Sequence, residues 1–395
     1  MAARIGPYLE RGEKHVFRQM KWLVAGATAG ALAISGGASA LAAGGWTVTT
    51  VSGQPGDNVA LNGVFARTST DAWAVGTQFG PAGSAPQPGA TYHWNGTSWS
   101  LIATPALGVN SALVGISDSG PSDAWAVGFE VFGYRGHKTL LEHWNGSAWS
   151  VDTADAISGG LGVELTAVLD LSPANAYAVG SGSGGPMIEH WNGTSWSPIA
   201  LPDPDFTAGS GSQDISATSA SDIWVVGSTT NPTTFASTPE ALHFNGTAWT
   251  AVPMAEPGSD TASISAVAAI SPANAWAVGE QAGTAAPIGG GTLTEHWNGT
   301  SWSVVPSPTP GADDSLTGVA GRSAGDVVAV GSALPSINGG PLQSVILRWN
   351  GTSWSDDTGG TIPGWLTAAA AFPGAAQEFA VGNSSGSSGQ ILSHS

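Results

Sequence analysis

Nine consecutive residues, Glu130-Val131-Phe132-Gly133-Tyr134-Arg135-Gly136-His137-Lys138, hold the densest mix of ligand-binding side chains in this 395-residue sequence. Arg135 and Lys138 are two of the five Lys and Arg beyond position 43, and His137 is the one His there outside a recurring pattern. A guanidinium and an ammonium beside the aromatic faces of Phe132 and Tyr134 can grip an anion or a sugar through charge-assisted hydrogen bonds and stacking. Trp365, also outside the pattern, can stack a ring in the same way. Asp203, Asp205, Asp313 and Asp314 offer the hard oxygen ligands that Ca²⁺ takes, although not at EF-hand spacing. No other cofactor is expected. Carboxylates are too many for the sequence to single out a catalytic pair of the kind that hydrolyses glycosides.

Composition removes several other chemistries. With no Cys, disulfides, thiolate catalysis and thiolate metal sites are excluded. The formal charge is −18, and residues 44–395 alone carry 5 basic and 26 acidic groups, 5 − 26 = −21. A body so acidic is repelled by nucleic acid phosphates and by anionic lipid, so neither is an expected partner. Hydrophobic content of 42% is near the globular norm, which argues against disorder.

Residues 1–21 are basic, Trp22–Ala43 carries no charge, and the run ends Ala38-Ser39-Ala40-Leu41-Ala42-Ala43. A charged start, an apolar middle and small residues form the layout of a secretory signal, read here as residues 1–43. If uncleaved, the run is long enough to anchor the chain in a membrane. Either way residues 44–395 are expected outside the cytoplasm, as one domain without membrane insertion.

What must position the candidate residues is a repeat. Asp-Ala-Trp-Ala-Val-Gly occurs at Asp71–Gly76 and Asp123–Gly128, with variants ending at Gly180, Gly227, Gly279, Gly331 and Gly382. A second block, His-Trp-Asn-Gly-Thr-Ser-Trp at His93–Trp99, recurs behind six of them, the last as Arg348–Trp354. A period near fifty residues means stacked or radial units that cannot bury their apolar faces alone. Each unit reads as four short strands, with Asn95-Gly96 and its equivalents as type I′ turns between the third and fourth. The seventh unit stops after Ile391-Leu392-Ser393-His394, where His394 is read in the slot of His93. The missing strand begins at Gly45-Trp46-Thr47-Val48. A ring closed by the N-terminal strand predicts this offset, so the expected fold is all-β, a seven-bladed propeller of four antiparallel strands per blade.

The Val-Gly strand followed by an aromatic-Asn-Gly-x-x-Trp hairpin resembles the Kelch/galactose-oxidase-like and the Asp-box (BNR-type) propellers across essentially all of residues 44–395. Kelch repeats carry Gly-Gly where this chain has a single Gly such as Gly76. Asp-box repeats place Asp where this chain has Asn95 and its equivalents. The resemblance implies architecture, and both groups contain enzymes and binders. A copper oxidase of the galactose-oxidase kind needs a Cys that is missing. A sialidase would need three Arg clamping a carboxylate, and Arg67, Arg135, Arg322 and Arg348 are read at non-equivalent positions.

The recurring Trp are expected to pack blade on blade, the recurring His to be structural, and Asp71 and its equivalents to be turn residues. The Asn-Gly-Thr/Ser triplets match a glycosylation sequon, which the turn already explains. Function should then lie in the links that do not repeat, such as 77–91, 129–141, 198–213, 228–241 and 332–344, all on one face. The expected function is a secreted or cell-surface, non-catalytic, monomeric propeller binding a glycan or a protein there. The alternative is a glycan-active enzyme, a sialidase-like hydrolase or a lyase.

Overall fold

The computed structural model describes residues 45–395 except 55, 82–83, 134–135, 154–161, 183–184, 203–209, 232, 259–260, 283–288, 337, 373, 375–376 and 387. The expected signal at 1–43 therefore lies outside the described residues, as do Tyr134, Arg135, Asp203 and Asp205. Twenty-eight strands form seven four-stranded sheets, each a meander of neighbouring antiparallel strands. Blade 1 comprises an inner strand Asn58–Thr68, a second Asp71–Phe79, a third Gly89–Trp94 and an outer Trp99–Ile102. Blades 2 to 7 begin at Asn110, Glu164, Ser210, Ala262, Asp313 and Trp365.

Ring closure is as the sequence implied. Thr47–Val51 pairs with Gly389–His394 and supplies the outer strand of blade 7. The register corrects one reading. Phe379, equivalent to Trp73, lies opposite Ser393, just as Trp73 lies opposite His93. His394 is one residue further on, in the slot of Trp94, and there it packs against Trp46.

Alternation within the strands puts apolar side chains on both sheet faces, and the core is accordingly a set of seven slabs between blades. One slab joins Trp73 and Val75 of blade 1 to Leu113, Leu140 and Trp149 of blade 2. In six of the seven joints an aromatic of the second strand meets Trp of the next blade. Trp125, for example, lies 5.1 Å from Trp191 and 5.0 Å from Trp196, and Phe379 closes the ring 5.3 Å from Trp99. The edge-to-face angles suit the ring quadrupoles, so the recurring Trp act as the joints of the ring.

The Val-Gly dipeptide has a geometric cause. Opposite it, every inner strand carries a β-bulge, as between Leu113 and Gly115. The bulge pushes its backbone towards the second strand, and a Cβ on Gly128 would overlap the carbonyl oxygen of Ala112.

Candidate functional site

The two ends of the ring differ in what their side chains are free to do. Inner-to-second and third-to-outer turns share one end, and there the recurring residues bind one another. The third-strand Trp donates its indole N–H across this face, as from Trp94 to the Ser69 carbonyl at 3.0 Å. Each Asn of the Asn-Gly turns accepts three hydrogen bonds on Oδ1. For Asn95 these come from Thr97 N–H at 3.0 Å, Thr97 Oγ1 at 2.8 Å and Ser98 N–H at 3.0 Å. The hairpin is thus a four-residue loop spanned by its own Asn, with positive φ at Gly96 alone, and the expected type I′ turn is not formed. The Thr or Ser of each triplet is the donor this loop needs.

Asp71 also differs from its expected role. Its Oδ1 accepts from His93 Nε2 at 2.8 Å, and the pair recurs as Asp123–His143 and Asp222–His243, both at 2.7 Å. Asn175–His190 is the neutral version at 2.9 Å. Burial works to raise the Asp71 carboxyl, but the bonds from His93 and Arg67 outweigh it and hold the group below its usual range.

Arg67 and Arg322 occupy the same slot, four residues before Asp71 and Asp326 and ion-paired with them, so the arginines are not all non-equivalent. Arg67 also reaches Asp118 of blade 2 at 2.8 Å. Arg348, in the His slot of blade 6, contacts Asp326 at 2.9 Å and Asp357 at 2.8 Å, and pairs with the buried Glu378 of blade 7. Room for it exists because Val328 replaces the aromatic on which His stacks elsewhere. These arginines bind protein carboxylates, an arrangement unlike a clamp open to substrate.

At the opposite end lie the links that do not repeat. The strands run further into them than the sequence suggested, leaving 80–88, 132–136, 231–236 and 335–342 as links. Phe132 stands on the blade 2 link with 37% of its surface exposed, its N–H donated to the Gly136 carbonyl at 3.0 Å. His137 and Lys138 are strand residues. His137 stacks on Phe129 at 4.4 Å and pairs with Glu164 of blade 3, so it is engaged within the fold. Lys138 lies opposite Glu130 and, with Thr139, Leu141, Val151 and Asp152, lines a pocket of about 210 Å³.

Trp365 opens the inner strand of blade 7 in the slot that Glu164 fills in blade 3. It shares this end of the ring with Phe132 but stands two blades away. Asp313 and Asp314 accept backbone N–H groups of Gly290 and Gly311 at 3.0 Å. Among the described residues no group of three His, Asp or Glu is placed to hold a metal ion. No described helix is long and apolar enough to cross a membrane.

Phe235 is the residue that sequence reasoning missed. It is 55% exposed at the blade 4 link, and among the described residues it is the one non-Gly residue with positive φ, at 60°. A lone Phe in the Thr- and Ser-rich stretch 228–241 was the available signal.

Several carboxyls unrelated to either end are buried inside the joints. Glu142 has neither oxygen hydrogen-bonded, and burial pushes it up to about 8. Glu295, its counterpart in blade 5, accepts from Ala255 N–H at 2.9 Å, and burial still raises it to about 7. The residue aligned with Ala255 in the approach to blade 2 is Pro105, which has no N–H to give.

No protein-family model matches this chain, and no curated protein matches it. Solved structures do. One titled YCF48 bound to D1 peptide is similar over 90% of this chain and 96% of that one, at 12% identity and a TM-score of 0.57. A protein of unknown function from Dyadobacter fermentans DSM 18053 covers 89% of this chain at 11% identity, TM-score 0.46. Trypanosoma rangeli sialidase in complex with 2,3-difluorosialic acid covers 87% at 8% identity, TM-score 0.43, and this chain spans 56% of its length. At such identities the likeness is one of fold, and the fold shared with the YCF48 structure is the propeller.

Proposed function

We propose that this chain is a secreted or cell-surface propeller that binds a glycan or protein ligand on its loop face and performs no chemistry of its own. One observation carries the reading. The described large apolar side chains left exposed are Phe132, Phe235 and Val304, and the two Phe crown second-to-third links on the same face. Exposed aromatics on a rigid scaffold are the usual anchors of recognition. At the other end most of the recurring Asp, Asn, Arg and His groups are bound to one another, with Asn274 Oδ1 the exception. That the YCF48 structure holds a peptide on a similar ring is compatible with this reading. The basic start and uncharged run of residues 1–43 support export.

The test is a glycan array and a protein pull-down with the purified chain, beside a panel of glycosidase and lyase substrates. Binding that is lost in a Phe132→Ser/Phe235→Ser variant of unchanged melting temperature is the expected result. Turnover abolished by a single carboxylate substitution would make the chain an enzyme and overturn the proposal.

A further inference from the structure

Resting on that assignment of the loop face, we infer that its ligand is a cationic polypeptide segment whose apolar side chains seat on Phe132 and Phe235.

Phe235 is displayed at an energetic cost. An L-residue in the left-handed region costs about 1–2 kcal/mol, and Gly or Asn would relieve it. The backbone there is fixed by its neighbours. Asn231 donates its N–H to the Ala236 carbonyl and accepts that of Phe235, both at 2.8 Å. Its side-chain oxygen accepts from Thr233 and Thr234 at 2.9 and 3.0 Å. A bulky ring is thereby held in water at the one described position where its backbone is strained. Among the described residues no packing accounts for it. Strain of this kind is kept where the side chain is used. Phe132 is presented by a second link, two blades away.

Residues 44–395 carry 5 − 26 = −21, and of the five cations Arg67, Arg322 and Arg348 are tied to carboxylates at the turn end. The fifth, Arg135, lies outside the described residues, and the one described Lys or Arg at the loop end, Lys138, lies opposite Glu130. Asp57 and the exposed Glu256 also stand at this end. The field there attracts cations and repels acidic sugars, phosphate and acidic peptides. Phenyl rings carry no hydrogen-bonding group for a neutral glycan, but they suit Leu, Phe or the stems of Lys and Arg. A basic segment with apolar residues satisfies both features together.

Three peptides of equal length test this by fluorescence anisotropy with the full chain: one of Lys and Leu, one with Glu in place of Lys, and one with Ser in place of Leu. The Lys/Leu peptide should bind, weaken at least ~10-fold at high salt, and lose about 10-fold or more in the Phe132→Ser/Phe235→Ser variant. The Glu/Leu and Lys/Ser peptides should each bind at least ~10-fold more weakly. Equal binding of the Lys/Ser peptide would reduce the effect to general attraction and overturn the inference. So would tighter binding of the acidic peptide. If a glycan binds instead and is lost in the same variant, the loop face stands and the cationic ligand fails. If no ligand responds to that variant, both fail.

Discussion

His394 packs against Trp46 with ring centroids 5.3 Å apart and planes tilted by 44°, so residues from opposite ends of the sequence meet in blade 7, the sheet that closes the ring. Trp46 is fully buried, in a slab with Val328, Ile346, Leu366 and Leu392. Trp46→Ala should cost about 3–5 kcal/mol through the cavity it leaves. Deleting residues 44–50 should go further, exposing the edge of the Gly389–His394 strand and lowering the melting temperature by about 10 °C or more, with aggregation on heating. Differential scanning calorimetry of both variants checks this, and an unchanged melting temperature after the deletion would contradict closure by this strand.

The bulge opposite Val-Gly makes a paired prediction. Gly128→Ala drives a methyl group into the backbone of the inner strand and should destabilise by about 3 kcal/mol or more. Gly120→Ala, where nothing lies within 4 Å of the added carbon, should be near neutral. Chemical denaturation midpoints of the two proteins compare them directly.

The joint between blades 6 and 7 adds an ionic cluster beside the buried Trp46, where Val328 replaces the second-strand aromatic of the other joints. Removing the guanidinium with Arg348→Met leaves Glu378 buried without its main partner, which should cost about 3–5 kcal/mol. Glu378 occupies the slot held by Ala72 in blade 1 and by Ala124 in blade 2. Adding Glu378→Ala to the Arg348→Met protein should therefore recover a large part of the loss. A double-mutant cycle with no coupling between the two positions would refute the pairing.

Stability should fall as pH rises through neutrality. Burial raises Glu142 and Asp170 to about 8, and Asp118 and Glu295 to about 7. In the unfolded chain such groups titrate near ~4. Between about pH 4 and pH 8 the folded state holds protons that the unfolded state has released, so the stabilisation is full below this window and is lost across it. Asp71 has the opposite sign, being lowered, and weakens the fold only in stronger acid. Melting temperatures should thus drop from about pH 5 to pH 8. Glu142→Gln should match the parent near pH 5 and melt several degrees higher near pH 8. A parent curve that is flat across this range would refute the assignment.

Blade number, strand order and closure were legible because they rest on short motifs repeated many times, each with one local cause, such as a Gly forced by a bulge. Misreadings arose where residue type and register disagree. His394 looks like the repeated His, yet only strand pairing shows that Ser393 faces Phe379. Asp71 looks like a turn former because its partner, His93, lies in another strand, across a link whose length varies from blade to blade. On the loop face, Phe132 was visible as part of a basic and aromatic cluster, of which Tyr134 and Arg135 lie outside the described residues; His137 stacks on Phe129 and Lys138 lies opposite Glu130. Phe235 was hidden because a single aromatic in a polar link signals nothing until its backbone angle is known.

The joint formed by Val328, Arg348 and Glu378 also bears on the order of the blades. In the other six joints an aromatic knob from one blade enters a common aromatic socket in the next, so those blades could in principle trade places. Blade 6 offers an arginine instead, and blade 7 alone answers it with an acid at the matching position. This mismatch works as a key. Among the described residues the arginine of blade 6 finds its matching acid in blade 7 and at the equivalent position of no other blade, which favours this neighbour over the rest.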